Sequence, residues 1–129
     1  MAAKDELGRR GEELAAAFLV RAGYSILERN WRCRQGEVDV IAFDGREIAF
    51  VEVKTRTSVL FGHPLEAITP QKLARLRRLA GTWCERHLDE QRELHPGVRV
   101  RSDSIRIDAI GIVAPAGQDP VIEHRRGVF

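Results

Sequence analysis

The sequence predicts an α/β fold of order αβββαβ, a mixed sheet flanked by helices, and three observations carry that expectation. Apolar residues recur at helical spacing in two separate segments, 4–22 and 70–92. Between them, residues 24–55 divide into three runs rich in strand-favouring residues and bounded by turn signals. A fourth such run, 104–113, follows the second helix. With 129 residues, 43% hydrophobic and 31% charged, the chain suits one compact domain over 1–129.

The first helix spans Lys4 to Ala22, with Leu7, Leu14, Phe18 and Leu19 and the small Gly11, Ala15 and Ala22 along its apolar stripe, and Gly23 is its stop signal. Gly8 and Gly11 each cost about 1 kcal/mol relative to alanine inside a helix. Their presence implies a close approach, either a tight helix-to-sheet contact or a ligand. Tyr24–Cys33 reads as a strand, Arg34-Gln35-Gly36 as a turn, and Glu37–Phe43 as a second, alternating strand. Asp44-Gly45 is a hairpin signal, and the next run, Glu47–Thr55, is apolar on both faces near its middle, as a central strand covered by helices would be. Residues 56–68 are a loop containing Gly62 and Pro64. Thr69 then caps a helix that has Pro70 at its first position, an apolar stripe of Leu73, Leu76, Leu79, Ala80 and Trp83, and an end near Arg92, before His95-Pro96-Gly97. Ser104–Val113 is the last clear strand, and the tail from about Ala114 offers no more than a short strand at Val121–Glu123.

Composition narrows the function less than distribution does. Twenty-one cations face 19 acids, so the net charge of +2 does not itself identify a polyanionic partner. The longest apolar run, Leu14–Val20, has seven residues against the roughly 20 of a membrane span. The N-terminus is polar, so no membrane association and a cytoplasmic location are expected. Cys33 and Cys84 lack CxxC spacing and the four histidines stand apart, which argues against structural zinc and a disulfide framework. The cations comprise 18 arginines and only three lysines, Lys4, Lys54 and Lys72. A bias toward arginine accounts for this, unless a compact ammonium is needed at particular points.

Glu52 and Lys54 are two apart on a strand and therefore share a face. Such a pair, taken alone, is most often an ordinary salt bridge, but Asp39 lies on the preceding strand of the same hairpin. A loop centred on Asp44 and Gly45 pairs Asp39 with Phe50; one centred on Gly45 and Arg46 pairs Asp39 with Glu52. In either register the two acids share a face within about 8 Å. Carboxylates that close repel unless a cation lies between them, and a hard divalent ion accepts one or two carboxylates, a carbonyl and waters. Asp39, Glu52 and the backbone carbonyl of Val53 would supply such a magnesium site, with manganese as a substitute. Lys54 beside it could hold or deprotonate an attacking water, or offset charge on a pentavalent phosphate.

The segments GEVDVIA at 36–42, FVEVKTR at 50–56 and GRRGEELAAAFL at 8–19 closely resemble the YraN family of small bacterial proteins, described as predicted endonucleases. The resemblance extends from Gly8 to about Val113. That family is similar to the PD-(D/E)XK nucleases and particularly to archaeal Holliday junction resolvases. The resemblance implies a restriction-endonuclease-like core in which Asp39 and Glu52 bind the metal, Lys54 serves the attacking water, and Glu12 completes or orients the acidic cluster. Val38 stands where the superfamily signature has proline. Glu37 reads as a hairpin-edge or supporting residue, Asp108 as a strand-surface acid paired with Arg106 or another arginine, and His63 as structural or a loop contact to DNA.

On the second helix Lys72, Arg75 and Arg78 recur every third residue with no acid between Ala67 and Cys84. They make a strip suited to a phosphate backbone or a solvated face. The leading expectation is a metal-dependent endonuclease on DNA, with preference for branched or irregular DNA resting on the family analogy. The alternative is a non-catalytic module on the same fold that binds nucleic acid or a protein partner, and both are compatible with a homodimer. A two-carboxylate glycosidase is weaker, since eight aromatics form no evident sugar-stacking cluster.

Overall fold

The structure is a computed structural model that describes residues 3–96 and 104–129. Its elements are α1 (Ala3–Arg21), β1 (Ser25–Cys33), β2 (Gly36–Phe43), β3 (Ile48–Arg56), a 3-10 turn (Pro64–Ala67), α2 (Pro70–Leu94), β4 (Ile105–Val113) and β5 (Val121–Arg125). The strands form one sheet in the order β1-β2-β3-β4-β5. The first three are an antiparallel meander, β4 returns parallel to β3 after α2, and β5 closes the edge antiparallel to β4. This is the α/β, restriction-endonuclease-like core that the sequence led us to expect.

The helices bracket the sheet. Leu76, Leu79, Ala80, Trp83, Cys84 and Leu88 of α2 pack on Ile41, Phe43, Ile48, Phe50 and Ile107, while Ala15 and Leu19 of α1 pack on Val40, Ala42, Ala49, Val51 and Ile110 across the opposite face. Apolar cover on both sides accounts for the unbroken hydrophobic centre of β3. The N-cap is as expected, with Thr69 Oγ1 accepting from Lys72 N at 3.2 Å. Gly23, at φ 95°, ends α1 with paired backbone bonds, Tyr24 N to Leu19 O and Gly23 N to Val20 O. That closure places Tyr24 and Leu19 in the same core cluster. Gly97, the last of the three residues read as the stop of α2, lies outside the described residues.

Two regions are more ordered than the sequence suggested. The loop after β3 contains the 3-10 turn, capped by His63, whose Nδ1 accepts from Leu65 N at 3.1 Å. His63 therefore has a structural role. The tail forms β5 through Arg125 and is pinned beyond it, since Gly127 N donates to Asp108 Oδ1 at 3.0 Å and Val128 N to Ile107 O at 2.9 Å. Asp108 is paired with Arg106 as expected, yet it is fully buried rather than a strand-surface acid. Arg106 grips both its oxygens at 2.8 and 2.9 Å and also reaches Asp44 Oδ2 at 2.8 Å and the Tyr24 hydroxyl at 2.7 Å. His124 Nε2 lies 2.8 Å from Asp108 Oδ2. Burial would raise the Asp108 carboxyl, but the bonds from His124 and Arg106 hold it below the ordinary carboxylate range.

Candidate active site

The β2–β3 hairpin adopts the register centred on Gly45 and Arg46, because Val40 pairs with Val51 and Phe43 with Ile48. Asp44 Oδ1 fixes that turn by accepting from Arg46 N at 2.8 Å and Glu47 N at 2.7 Å. Continued by one residue, the register sets Asp39 opposite Glu52, but the strand pairing ends at Val40 and Val51. There the Asp39 carboxylate replaces the ladder: Val53 N donates to its Oδ2 at 2.8 Å.

The reason for this break is local. Val38 packs in the α2-side core and Val40 in the α1-side core, so strict alternation fails at Asp39. Across from it on β1, between the pairs Arg29–Val40 and Trp31–Val38, stands Asn30 at φ 52°. Asparagine tolerates this left-handed conformation better than most residues. Its side chain also faces Glu12 on α1 and helps to offset the rise in that carboxyl's proton affinity. Sequence reasoning missed Asn30, although an asparagine in the middle of a strand was itself a signal.

Two clefts meet at this end of the sheet. The larger, about 720 Å³, is lined by Gly8, Arg9, Glu12, Asn30, Arg32, Glu37, Val53, Lys54 and neighbouring residues. The smaller, about 270 Å³, lies under α2 and is lined by Gly36, Glu37, Glu52, Lys72, Arg75, Leu76 and Leu79. Thus Glu52 and Lys54, two apart on β3, line different clefts, and Glu37 lines both. The glycines of α1 divide their roles. A Cβ on Gly11 would collide with Thr55 of β3, so Gly11 permits tight helix-to-sheet contact, whereas Gly8 has open space and leaves the larger cleft unobstructed.

The acids are electrostatically strained. Burial, followed by repulsion from Glu52, pushes the Asp39 carboxyl up to about 7. Burial likewise raises Glu52, with Lys72 the leading opposing charge and Lys54 and Arg75 assisting. Glu12 is raised by burial and by Glu37, against Arg29, Asn30 and Arg32. Glu37, bridged to Arg32 at 2.9 Å but exposed, acts on all three acids. Among the described residues Lys54 has no ion-pair partner within 4 Å, although its charge reaches Glu52. Lys72 Nζ donates to Ala67 O at 3.2 Å. Lys72 and Arg75 overlook the smaller cleft; Arg78 is exposed on α2 and lines neither.

This donor set suits a hard, partly hydrated divalent ion: oxygen donors only, two of them carboxylates from adjacent strands that repel each other. Among the described residues no three His, Cys, Asp or Glu side chains converge as a metal cluster, so waters and a backbone carbonyl such as that of Val53 would complete the shell. No helix of the described residues is long and apolar enough to cross a membrane.

Fold and site together define a restriction-endonuclease-like α/β protein with acids and a lysine gathered at one end of its central strands. The chain belongs to the uncharacterised protein family UPF0102, the YraN family of the sequence resemblance, whose model matches residues 11–112. It is 49% identical to the UPF0102 protein of Pseudarthrobacter chlorophenolicus, over 99% of this chain and 89% of the relative. The relatives in Leifsonia xyli and Streptomyces griseus are 49% and 48% identical, each over 99% of both chains.

Proposed function

We propose that the protein is a metal-dependent endonuclease hydrolysing DNA phosphodiester bonds. The observation that supports this most is the set of carboxylates Glu12, Asp39 and Glu52, delivered by a helix and two strands, each with raised proton affinity, beside Lys54 and Lys72. Unlike charges buried for stability, these acids repel one another, which is costly unless a cation is held there.

In this reading Asp39 and Glu52 would hold magnesium or manganese, with the Val53 carbonyl as a further donor. When bound, the ion polarises the phosphate and neutralises developing charge. Asp39 is held for this task by Val53 N, and Asn30 favours the charged form of Glu12. Lys54 Nζ, without an ion-pair partner among the described residues, orients the attacking water and offsets charge on the pentavalent phosphate. The water oxygen bonds to phosphorus as the bond to the leaving ester oxygen breaks; the water gives up one proton to solvent and the leaving oxygen takes one from solvent, so the sum is hydrolysis of the ester. Lys72 and Arg75 hold a neighbouring phosphate at the smaller cleft, and Arg78 extends the contact along α2.

The second reading, a binding module without turnover, is favoured by one observation: among the described residues no three potential ligands converge. Both readings need DNA binding, which is tested first. The triple variant Lys72→Ala, Arg75→Ala, Arg78→Ala is expected to lose about tenfold or more in DNA affinity, equally across sequences, with a shallower salt dependence. Fluorescence anisotropy at several salt concentrations measures this. Unchanged affinity and slope would make the strip a solvated face.

A further inference from the structure

We infer that Leu60 and Phe61, at the tip of the β3–α2 loop, form an apolar wedge that inserts at weakly stacked base steps in DNA. The inference rests on the nucleic-acid reading above and adds to it a residue that selects the substrate.

Phe61 is 90% exposed and Leu60 84%, with Val59 at 58% beside them. Contiguous exposed apolar residues of this size mark contact surfaces more often than chance. The tip is also built rather than slack. Gly62 N donates to Val59 O at 3.0 Å, closing a four-residue turn with Leu60 and Phe61 as its two central residues. Gly62, at φ 99°, supplies the conformation, and a Cβ there would strike the Glu66 side chain. Below the tip, His63 bonds Leu65 N through Nδ1 and lies 3.2 Å from Glu123 of β5 through Nε2, and Pro64 is buried. The fold thus fixes a base from which two large apolar side chains project into solvent.

Position and charge indicate the occupant. The loop leaves β3 just after Lys54 and Arg56 and re-enters α2 just before Lys72, so both of its stems belong to the candidate active site. Residues 54–78 carry six cations, Lys54, Arg56, Lys72, Arg75, Arg77 and Arg78, against one acid, Glu66. A second copy docked tip to tip would bring two such segments together at an electrostatic cost, whereas a polyanion is attracted to them. Apolar side chains presented beside phosphate-binding cations are the arrangement that lets a protein unstack a base step, at least cost where stacking is already weak. An aromatic ring tolerates any base, because every base presents a π-face.

The test uses two duplexes of one sequence, fully paired or with a single abasic site, each carrying 2-aminopurine beside that position, in chelator so that cleavage plays no part. Wild type is expected to prefer the abasic duplex by about tenfold and to raise its 2-aminopurine emission. Phe61→Ala should abolish the preference and the emission change while its affinity for paired DNA stays within about twofold; Phe61→Trp should keep the preference. A Phe61→Ala protein that retains the preference, or a wild type that binds both duplexes equally, would overturn the wedge and leave the nucleic-acid reading standing. Binding to neither duplex would defeat both. Sedimentation in which wild type dimerises and Phe61→Ala does not, with selectivity unchanged, would instead assign the tip to a contact between copies and overturn the inference.

Discussion

Lys54→Ala is expected to lower DNA cleavage by about a hundredfold or more while DNA affinity changes little, because the group acts where charge develops rather than where the backbone is held. The position of Lys54 supports this separation. It lines the larger cleft with Glu12, whereas Lys72 and Arg75, the proposed phosphate contacts, line the smaller one with Glu52. Lys54→Arg keeps the charge but changes its shape, its hydration and its ability to release a proton, and should not restore the rate. A purely structural lysine would behave differently. Its replacement by arginine would be nearly neutral, and its replacement by alanine would lower the melting temperature at an undiminished rate. Single-turnover cleavage, anisotropy and thermal melts on the three proteins distinguish the cases.

Asp39→Asn is expected to stabilise the ion-free protein at neutral and higher pH and to remove its response to magnesium. With the Asp39 carboxyl pushed up to about 7, the folded chain keeps a proton that the unfolded chain has released. Stability therefore falls as pH rises from the ordinary carboxylate range through about 7, by an amount on the order of 2–4 kcal/mol. Asparagine avoids that loss and still offers an oxygen to Val53 N. The variant should be more stable than wild type by roughly that amount at pH 8 in chelator, with the difference vanishing near pH 4. Asp108 works with the opposite sign. Its lowered pKa contributes stability above the ordinary carboxylate range that is lost on acidification, so the ion-free protein should be most stable on the acid side of neutral. Magnesium at a hundred times its dissociation constant should return about 2.7 kcal/mol to wild type and nothing to the variant. Identical pH profiles and magnesium responses would remove the metal assignment.

How much of this was legible in the sequence depends on the range of the interaction involved. The elements were readable because their signals are local: helical spacing with Gly23 as a stop, Thr69-Pro70 as a start, and Asp44-Gly45 as a hairpin. The hairpin register was readable to within two candidates, and the pairing of Val40 with Val51 is one of them, but the ladder ends there and Asp39 takes Val53 N rather than pairing with Glu52. The separation of Glu52 from Lys54 into different clefts was not readable. The two clefts lie beside the point where the β2–β3 ladder ends and Asp39 takes Val53 N, opposite a left-handed Asn30, and no periodicity encodes that break. Glu37 looked peripheral, although its charge acts on three acids, because its influence depends on the clefts that it lines. The anchored tail was illegible for a similar reason: Gly127 N and His124 meet the buried Asp108, and Val128 N meets Ile107 O, contacts that only the folded sheet brings together.

In the proposed function the protein hydrolyses DNA at the Asp39, Glu52 and Lys54 site under control of a divalent ion. The most direct test is one cleavage assay on linear, nicked, flapped and four-way DNA with magnesium, manganese or chelator, run on wild type and on Asp39→Asn with Glu52→Gln. Wild type is expected to cut at least one irregular substrate in magnesium or manganese and none in chelator, and the double variant none in any condition. Wild type inert on every substrate in both ions, or a double variant that cuts at the wild-type rate, would contradict the proposed function.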